Sequence, residues 1–323
     1  MHKLVIIGAG ISGSMAAGYF SSLSPIVFDA SPKHNPLDNH KAVMRIRDHQ
    51  IGLILGCPME EVKVRKAVLF DGELHDNASI TMANMYSLKT NGTISERSIG
   101  ELGVAKRYMI HDVPSIKGDV CFDHELYYVE PGKLYFRDFS LREPTHHPER
   151  IIEYDYCIST IPMNKLIEAT GMSKKYNLDF TGRPIHICKA ELTIQSNVHQ
   201  TIYIPEDKYV SYRATLQGNV MIIEAVKEIE FDEVYSIADY FGVSSEKIAN
   251  MNFNKQNLGK IIPIDDDIRR AIILQLTTEF NIYSVGRFAL WKQVLVDDVV
   301  KDLGVVSKMM AASRTEARYN LSK

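Results

Sequence analysis

Six residues near the amino terminus, Gly8-Ala9-Gly10-Ile11-Ser12-Gly13, constrain this chain more than any other stretch. They fit the pattern G-x-G-x-x-G, and their surroundings give the pattern its meaning. Lys3-Leu4-Val5-Ile6-Ile7 comes first, a short β-branched run of the kind that forms a buried parallel strand. Ser14 to Ser22 follows, and Met15, Ala16, Ala17, Tyr19 and Phe20 mark it as a helix. Pro25 makes a turn, Ile26-Val27-Phe28 is a second strand, and Asp29 ends it about 20 residues beyond the glycines. Each part has a physical role. Gly8 allows a tight turn, Gly10 lets the backbone approach a pyrophosphate, and Gly13 lets helix and strand pack closely. The free N–H groups at the start of the helix, on Ile11, Ser12 and Gly13, favour phosphate charge. An acid at position 29 suits unmodified ribose hydroxyls, so FAD or NAD is preferred over NADP. The alternative is a glycine-rich turn in some other βαβ unit.

The length of 323 residues suggests about two domains and ample core without disulfides or metal clips. Lys and Arg number 37 against 40 Asp and Glu, a formal charge of −3. That argues against a dedicated nucleic-acid binder, without excluding recognition of a nucleotide or one modified base. No run approaches the roughly 18 apolar residues of a membrane span, and no signal peptide is visible. Cys57, Cys121, Cys157 and Cys188 are far apart and form no C-x-x-C, so reduced thiols in a cytoplasmic protein are expected.

The middle of the chain breaks the βα alternation. Ser31 to Asn39 reads as a loop, and Ala42 to Arg47 is too short to classify, although Arg45 or Arg47 could reach an anion. Asn91-Gly92 suggests a hairpin turn between Tyr86–Thr90 and Thr93–Ile94. Glu125 to Phe136 reads as a hairpin around Pro131-Gly132. Tyr154 to Pro162 is a strand stopped by proline, and Met163 to Thr170 a short helix ending at Gly171. Four strands, Ile185–Ile194, Gln200–Ile204, Tyr209–Leu216 and Val220–Val226, suggest an antiparallel sheet, with a turn at Gln217-Gly218-Asn219. Helices are expected from Asp232 to Phe241, from Ser244 or Ser245 to Met251, from Asp265 to Glu279 and from Val296 to Ser313. The strand Asn281 to Val285 runs into Gly286-Arg287-Phe288-Ala289-Leu290-Trp291, a second strand–glycine–helix junction.

Three segments together resemble the FAD-dependent group that includes UDP-galactopyranose mutase, protoporphyrinogen oxidase and amine oxidases. They are Val5–Gly13 with Asp29, Tyr154 to Pro162 ending Ser159-Thr160-Ile161-Pro162, and Tyr283 to Trp291 followed by Asp297-Asp298-Val299-Val300. The resemblance implies an α/β fold, a Rossmann-type FAD-binding domain with a parallel sheet and an inserted β-sheet-plus-helix substrate domain. It implies that residues 1–45, 120–180 and 280–323 form the FAD-binding domain, and 46–119 and 181–279 the substrate domain. It places Gly8, Gly10 and Gly13 on the pyrophosphate, Asp29 on the adenosine ribose, and Thr160 and Pro162 beside the cofactor. Gly286, Arg287 and the helix start near Val294–Val296 fall by the ribityl chain and flavin edge. The paired glycines usual after the second strand are missing here, where Ala30-Ser31-Pro32-Lys33-His34 stands, so Arg45 or Arg47 would replace those contacts. Tyr86-Ser87-Leu88-Lys89 with Glu96-Arg97-Ser98-Ile99 also resembles uncharacterised phage-encoded FAD-binding proteins, which brings no activity.

The expected function is an FAD-dependent oxidoreductase acting on an amine or amino-acid-like group. The alternatives are a mutase-like flavoenzyme without net redox change, and an FAD-binding nucleotide- or base-modification protein. A small-molecule or nucleotide-linked substrate would stack near Trp291, Arg287, Tyr209, Tyr212 and Arg213, the catalytic candidates. Core packing is an equal reading for Trp291, and surface an equal reading for Arg213. No metal site is expected. His146-His147 would point to opposite sides of an extended chain, and His111 and His186 lack partners at diagnostic spacing.

Overall fold

In this computed structural model, residues 3–34, 45–94, 99, 102–110, 116, 118–140, 148–176 and 178–321 are described; the side chains of 45, 258 and 314–321 are not. The strands in chain order begin with β1 (Leu4–Ile7), β2 (Ile26–Phe28), β3 (Arg45–Ile46), β4 (Glu60–Phe70) and β5 (Glu73–His75). Next come β6 (Gly103–Met109), β7 (Asp119–Cys121), β8 (His124–Glu130), β9 (Lys133–Asp138) and β10 (Glu149–Glu153). The last five are β11 (Tyr156–Ser159), β12 (Gly182–Tyr203), β13 (Ser211–Ala225), β14 (Ile248–Ile261) and β15 (Ile282–Ser284). The helices are α1 (Ile11–Tyr19), α2 (Gln50–Leu55), α3 (Ile80–Asn91), α4 (Met163–Ala169), α5 (Phe231–Asp239), α6 (Asp266–Phe280) and α7 (Val296–Leu321).

Five strands make an all-parallel sheet in the order β15-β11-β1-β2-β7. Its strands are apolar on both sides because helices cover both faces, as parallel sheets require. On one face Leu4, Ile6, Ile158 and Tyr283 pack with Met15 of α1, Ile51 of α2 and Leu303 of α7. On the other, Val5, Ile7, Cys157 and Ile282 pack with Leu166 of α4 and Leu276 of α6. Asp265 starts α6 by accepting from the N–H groups of Asp267 and Ile268, which agrees with the acid-rich start read from sequence. The hairpin β8–β9 extends to β10 as a small antiparallel sheet.

The second large sheet has seven strands. Its main path is β13-β12-β4-β6-β3, with β14 on β12 and β5 on β4. One face packs on α5 through Val234, Ile237 and Ala238. The other meets Tyr86 of α3 through Ile185, Ile187, Tyr212 and Ile222.

Several sequence expectations are corrected here. The four short strands are two long ones: β12 runs unbroken for 22 residues and β13 for 15. Register shifts near Ser196, and Gly218 at φ +57°, absorb the bend that Gln217-Gly218-Asn219 suggested as a turn. The sheet is mixed, because β12 pairs parallel with β4 while it pairs antiparallel with β13 and β14. Asn91-Gly92 is no hairpin turn. Met82, Tyr86, Ser87 and Thr90 are buried at helical spacing, Ser79 caps the start, and Gly92 at φ +76° ends α3 as a left-handed cap. After Ser244 only a single 3₁₀ turn forms, and the chain enters β14, where Asn and Lys on the exposed face had hidden the strand. The final helix runs on to Leu321. His111, His146 and His147 lie outside the described residues.

Candidate functional site

Parallel pairing sets the carboxyl ends of the central strands side by side. Ile7 stands level with Phe28 on one side and Ser159 on the other, and Ser159 is level with Ser284. Gly8, Asp29, Thr160 and Gly286 therefore share one edge. The chain runs outward from β1 to β2 and β7, then returns on the other side through β11 and β15. That reversal is the topological switch point at which open α/β sheets bind ligands.

The glycines at this edge differ in what they face. A Cβ on Gly13 would lie 1.8 Å from the Gly8 carbonyl oxygen, so α1 sits against the β1 turn only because residue 13 has no side chain. Gly8 holds φ +102°, and a Cβ there would meet Thr160 Oγ1 at 2.3 Å. Gly286 holds φ +88° with Ser12 Oγ 2.5 Å from where its Cβ would be. Around Gly10, by contrast, no atom of the described residues beyond its chain neighbours lies within 4 Å of an added Cβ. Gly10 is the N-cap of α1, with no side-chain cap and no acid in the first turn. Open space over a bare helix start is the cradle that a pyrophosphate fills. Asp29 accepts from Ala9 N–H at 2.6 Å and Ser31 N–H at 2.8 Å, which locks the turn. A carboxylate has about four acceptor positions, so ribose hydroxyls can still be received. Thr160 Oγ1 donates to the Ile7 carbonyl at 3.0 Å, and Pro162 caps α4. Ser159 Oγ and Ser284 Oγ are buried side by side without partners among the described residues. These features fit the dinucleotide that the resemblance implies. Arg45 lies in β3, and its side chain is outside the described ones.

Arg287 leaves the Gly286 turn and holds the Val294 carbonyl through Nε and Nη2, both at 3.4 Å. Burial pulls its guanidinium below the ordinary arginine value, with the Arg213 charge adding to this and Tyr212 and Glu224 opposing it. Those three groups come from β13 in the other large sheet. Arg213 forms a two-point ion pair with Glu224, through Nε on Oε2 and through Nη2 on Oε1 at 2.7 Å. Tyr212 donates to the same Oε1 at 3.1 Å. Burial alone would raise the Glu224 pKa; the Arg213 guanidinium outweighs it and holds the carboxyl low. Tyr86 packs edge-on against Tyr203 and Tyr212, with centroids 5.4 and 6.2 Å away. Lys260 of β14 places its ammonium 5.1 Å over the Tyr212 ring. Burial, with the neighbouring Arg213 charge, lowers its pKa to about 8.

The structure thus brings Arg287, Arg213 and Tyr212 together and sets the other two candidates apart. Trp291 is 2% exposed and packs edge-on against Phe180, with its indole N–H donated to the Ile262 carbonyl at 3.0 Å. Its backbone sits at φ +44°, an unusual conformation for a bulky residue, and it borders a cavity of about 400 Å³ with Pro263 and Lys292. Tyr209 packs by Tyr240 on the α5 side of the sheet. Glu224 and Lys260 were not singled out from sequence, and Tyr86 only within a segment to which no site role was given. The one signal for Glu224 is an acid inside the apolar run Met221-Ile222-Ile223-Glu224-Ala225.

The fold defines an α/β protein with a Rossmann-type parallel sheet and a second, mixed sheet, the end of whose strand β14 is held by the segment that follows β15. That fold is shared with reduced UDP-galactopyranose mutase, at TM-score 0.67 and 13% identity, covering 97% of this chain and 94% of that one. It is shared with an Exiguobacterium sp. 255-15 protein assigned as a protoporphyrinogen oxidase, at TM-score 0.58 and 11% identity over 95% and 98%. A CLA-producing fatty acid isomerase from P. acnes also matches, at TM-score 0.59 and 11% identity over 95% and 98%. At these identities the likeness is one of fold. No protein-family profile and no curated protein matches the sequence. Among the described residues no helix is long and apolar enough to cross a membrane.

Proposed function

We propose that this chain is an FAD-dependent oxidoreductase acting on a small amine or amino-acid-like substrate that carries an anionic group. One observation carries the reading: Arg287, beside Gly286 at the cofactor edge, lies within electrostatic reach of the buried Tyr212–Arg213–Glu224 cluster of the other sheet. Gly8, Gly10, Gly13 and Asp29 would hold the adenosine diphosphate half of FAD, and Thr160, Pro162 and Gly286 the flavin half. Held by these residues, FAD would supply two-electron redox chemistry to the substrate. Arg213 and Arg287 orient the substrate's anionic group. Glu224 keeps Arg213 extended and leaves it one guanidinium edge for the ligand. Lys260 can take up or release a proton near neutral pH. The Tyr86, Tyr203 and Tyr212 rings exclude water from that side.

The test is the visible spectrum of the purified protein before and after denaturation, followed by anaerobic mixing with an amine and amino-acid panel. A released yellow chromophore, bleached in the native protein by a panel member, is expected. A colourless protein that fails to take up added FAD overturns the proposal. The high overlap with reduced UDP-galactopyranose mutase favours a second reading, flavin chemistry without net oxidation. Turnover only after dithionite reduction, with no oxidant consumed, would select it.

A further inference from the structure

We propose that the cavity between α3 and the β12–β13–β14 layer binds the phosphate of a small phosphomonoester, beside the substrate face. The ligand's role as substrate rests on the flavoenzyme reading; its binding does not. The cavity measures about 260 Å³, with Tyr212 and Ile185 at its floor. Among the described residues four cations line it, Lys89, Arg183, Lys227 and Lys260, and no carboxylate does.

These cations do not share one role. Lys89 gives its three N–H bonds to the carbonyls of Ile204, Glu206 and Ser211 at 3.0, 2.6 and 2.7 Å, so it offers charge without a free donor. Arg183 and Lys227 stand exposed at the rim. Among the described residues, none of Arg183, Lys227 and Lys260 makes an ion pair or a hydrogen bond through its cationic head. The charges facing Lys260 are Arg213, Arg287 and Glu224, and Glu224 is already paired to Arg213. Asp207, Glu233 and Glu206 act on Lys89, yet burial still holds it down to about 8, as it does Lys260. Like charges gathered in a partly buried cavity repel one another more than in water, so these cations favour an anion here.

The shape narrows the ligand. Drug-sized molecules fill clefts of about 300–1,000 Å³, and this cavity lies below that range. A phosphate offers tetrahedral acceptors to the Arg183 fork and two lysine point charges. The remaining space suits a short carbon stem more than a nucleotide.

FAD-saturated protein, or the protein as purified if it takes up no FAD, is titrated calorimetrically with inorganic phosphate, glycerol 3-phosphate and uridine diphosphate near neutral pH. Saturable binding of the first two is expected. Lys260→Met and Arg183→Ala should each weaken glycerol 3-phosphate by about tenfold, the value of one charge-assisted hydrogen bond. Lys227→Glu, on the exposed rim, should abolish binding without affecting the fold. Affinity should also fall as pH rises through about 8, where Lys260 and Lys89 lose their protons. Absence of phosphate binding, or equal binding by all three variants, overturns the site. Tighter binding of uridine diphosphate than of glycerol 3-phosphate overturns the small-ligand reading. The flavin absorbance of the same samples reports on the cofactor separately.

Discussion

The two sides of the candidate site are built by opposite means. The parallel-sheet edge uses backbone: bare helix N–H groups, three positions where a Cβ would collide, and one, Gly10, where it would not. The mixed-sheet side uses charged side chains: one buried carboxylate, several cations and three tyrosines. Backbone sites come from contiguous sequence and cost no charge burial. Side-chain sites need distant segments to meet, and they carry desolvation that only a partner offsets.

The largest expected effect lies on the charged side. Glu224→Ala leaves Arg213 without its counter-charge, a change that costs about 3–5 kcal/mol for a buried pair. Chemical denaturation should show that loss, with retained flavin if the two sides are independent; joint loss would break the contrast. On the backbone side, Gly13→Ala forces a Cβ onto the Gly8 carbonyl and should cost about 1–3 kcal/mol, together with cofactor. Its companion Gly10→Ala meets no atom of the described residues beyond its chain neighbours, so thermal stability should shift by less than about 0.5 kcal/mol while FAD affinity drops. Equal destabilisation by both variants would refute the division of labour among the glycines.

A smaller effect is expected at Trp291→Phe, which leaves the Ile262 carbonyl without its donor, for about 1 kcal/mol by thermal melting. The pH dependence is subtler still. Lys260 and Lys89 titrate near 8 when folded and near 10.4 when unfolded. Between those values the unfolded chain binds more protons, so their destabilising contribution is fully present below about 8 and fades as pH rises. Melting temperature should therefore gain between about pH 8 and 9.5. Lys260→Met should show a smaller gain, and an unchanged slope would remove Lys260 from the buried set.

The N-terminal unit was legible in the sequence because its elements are consecutive. Strand, glycines, helix, second strand and Asp29 follow within one βαβ stretch, and local sterics dictate their order. The junctions at Thr160 and Gly286 were legible as motifs, though not as neighbours. The helix α3 was misread because Asn91-Gly92 serves a helix end as well as it serves a hairpin. Strands β12 and β13 were divided at polar residues whose bulges the sheet absorbs.

The sequence by itself determined the parallel sheet's start, the bare helix start that follows it and the acid beside it, since φ, Cβ clearance and helix-end N–H groups are properties of adjacent residues. Only the tertiary structure decided that Arg213 pairs with Glu224 within electrostatic reach of Arg287, that Lys260 lies over Tyr212, and that Trp291 packs inside. Those outcomes depend on strand pairing between segments far apart in the chain, and no local pattern encodes which buried charge will find which partner.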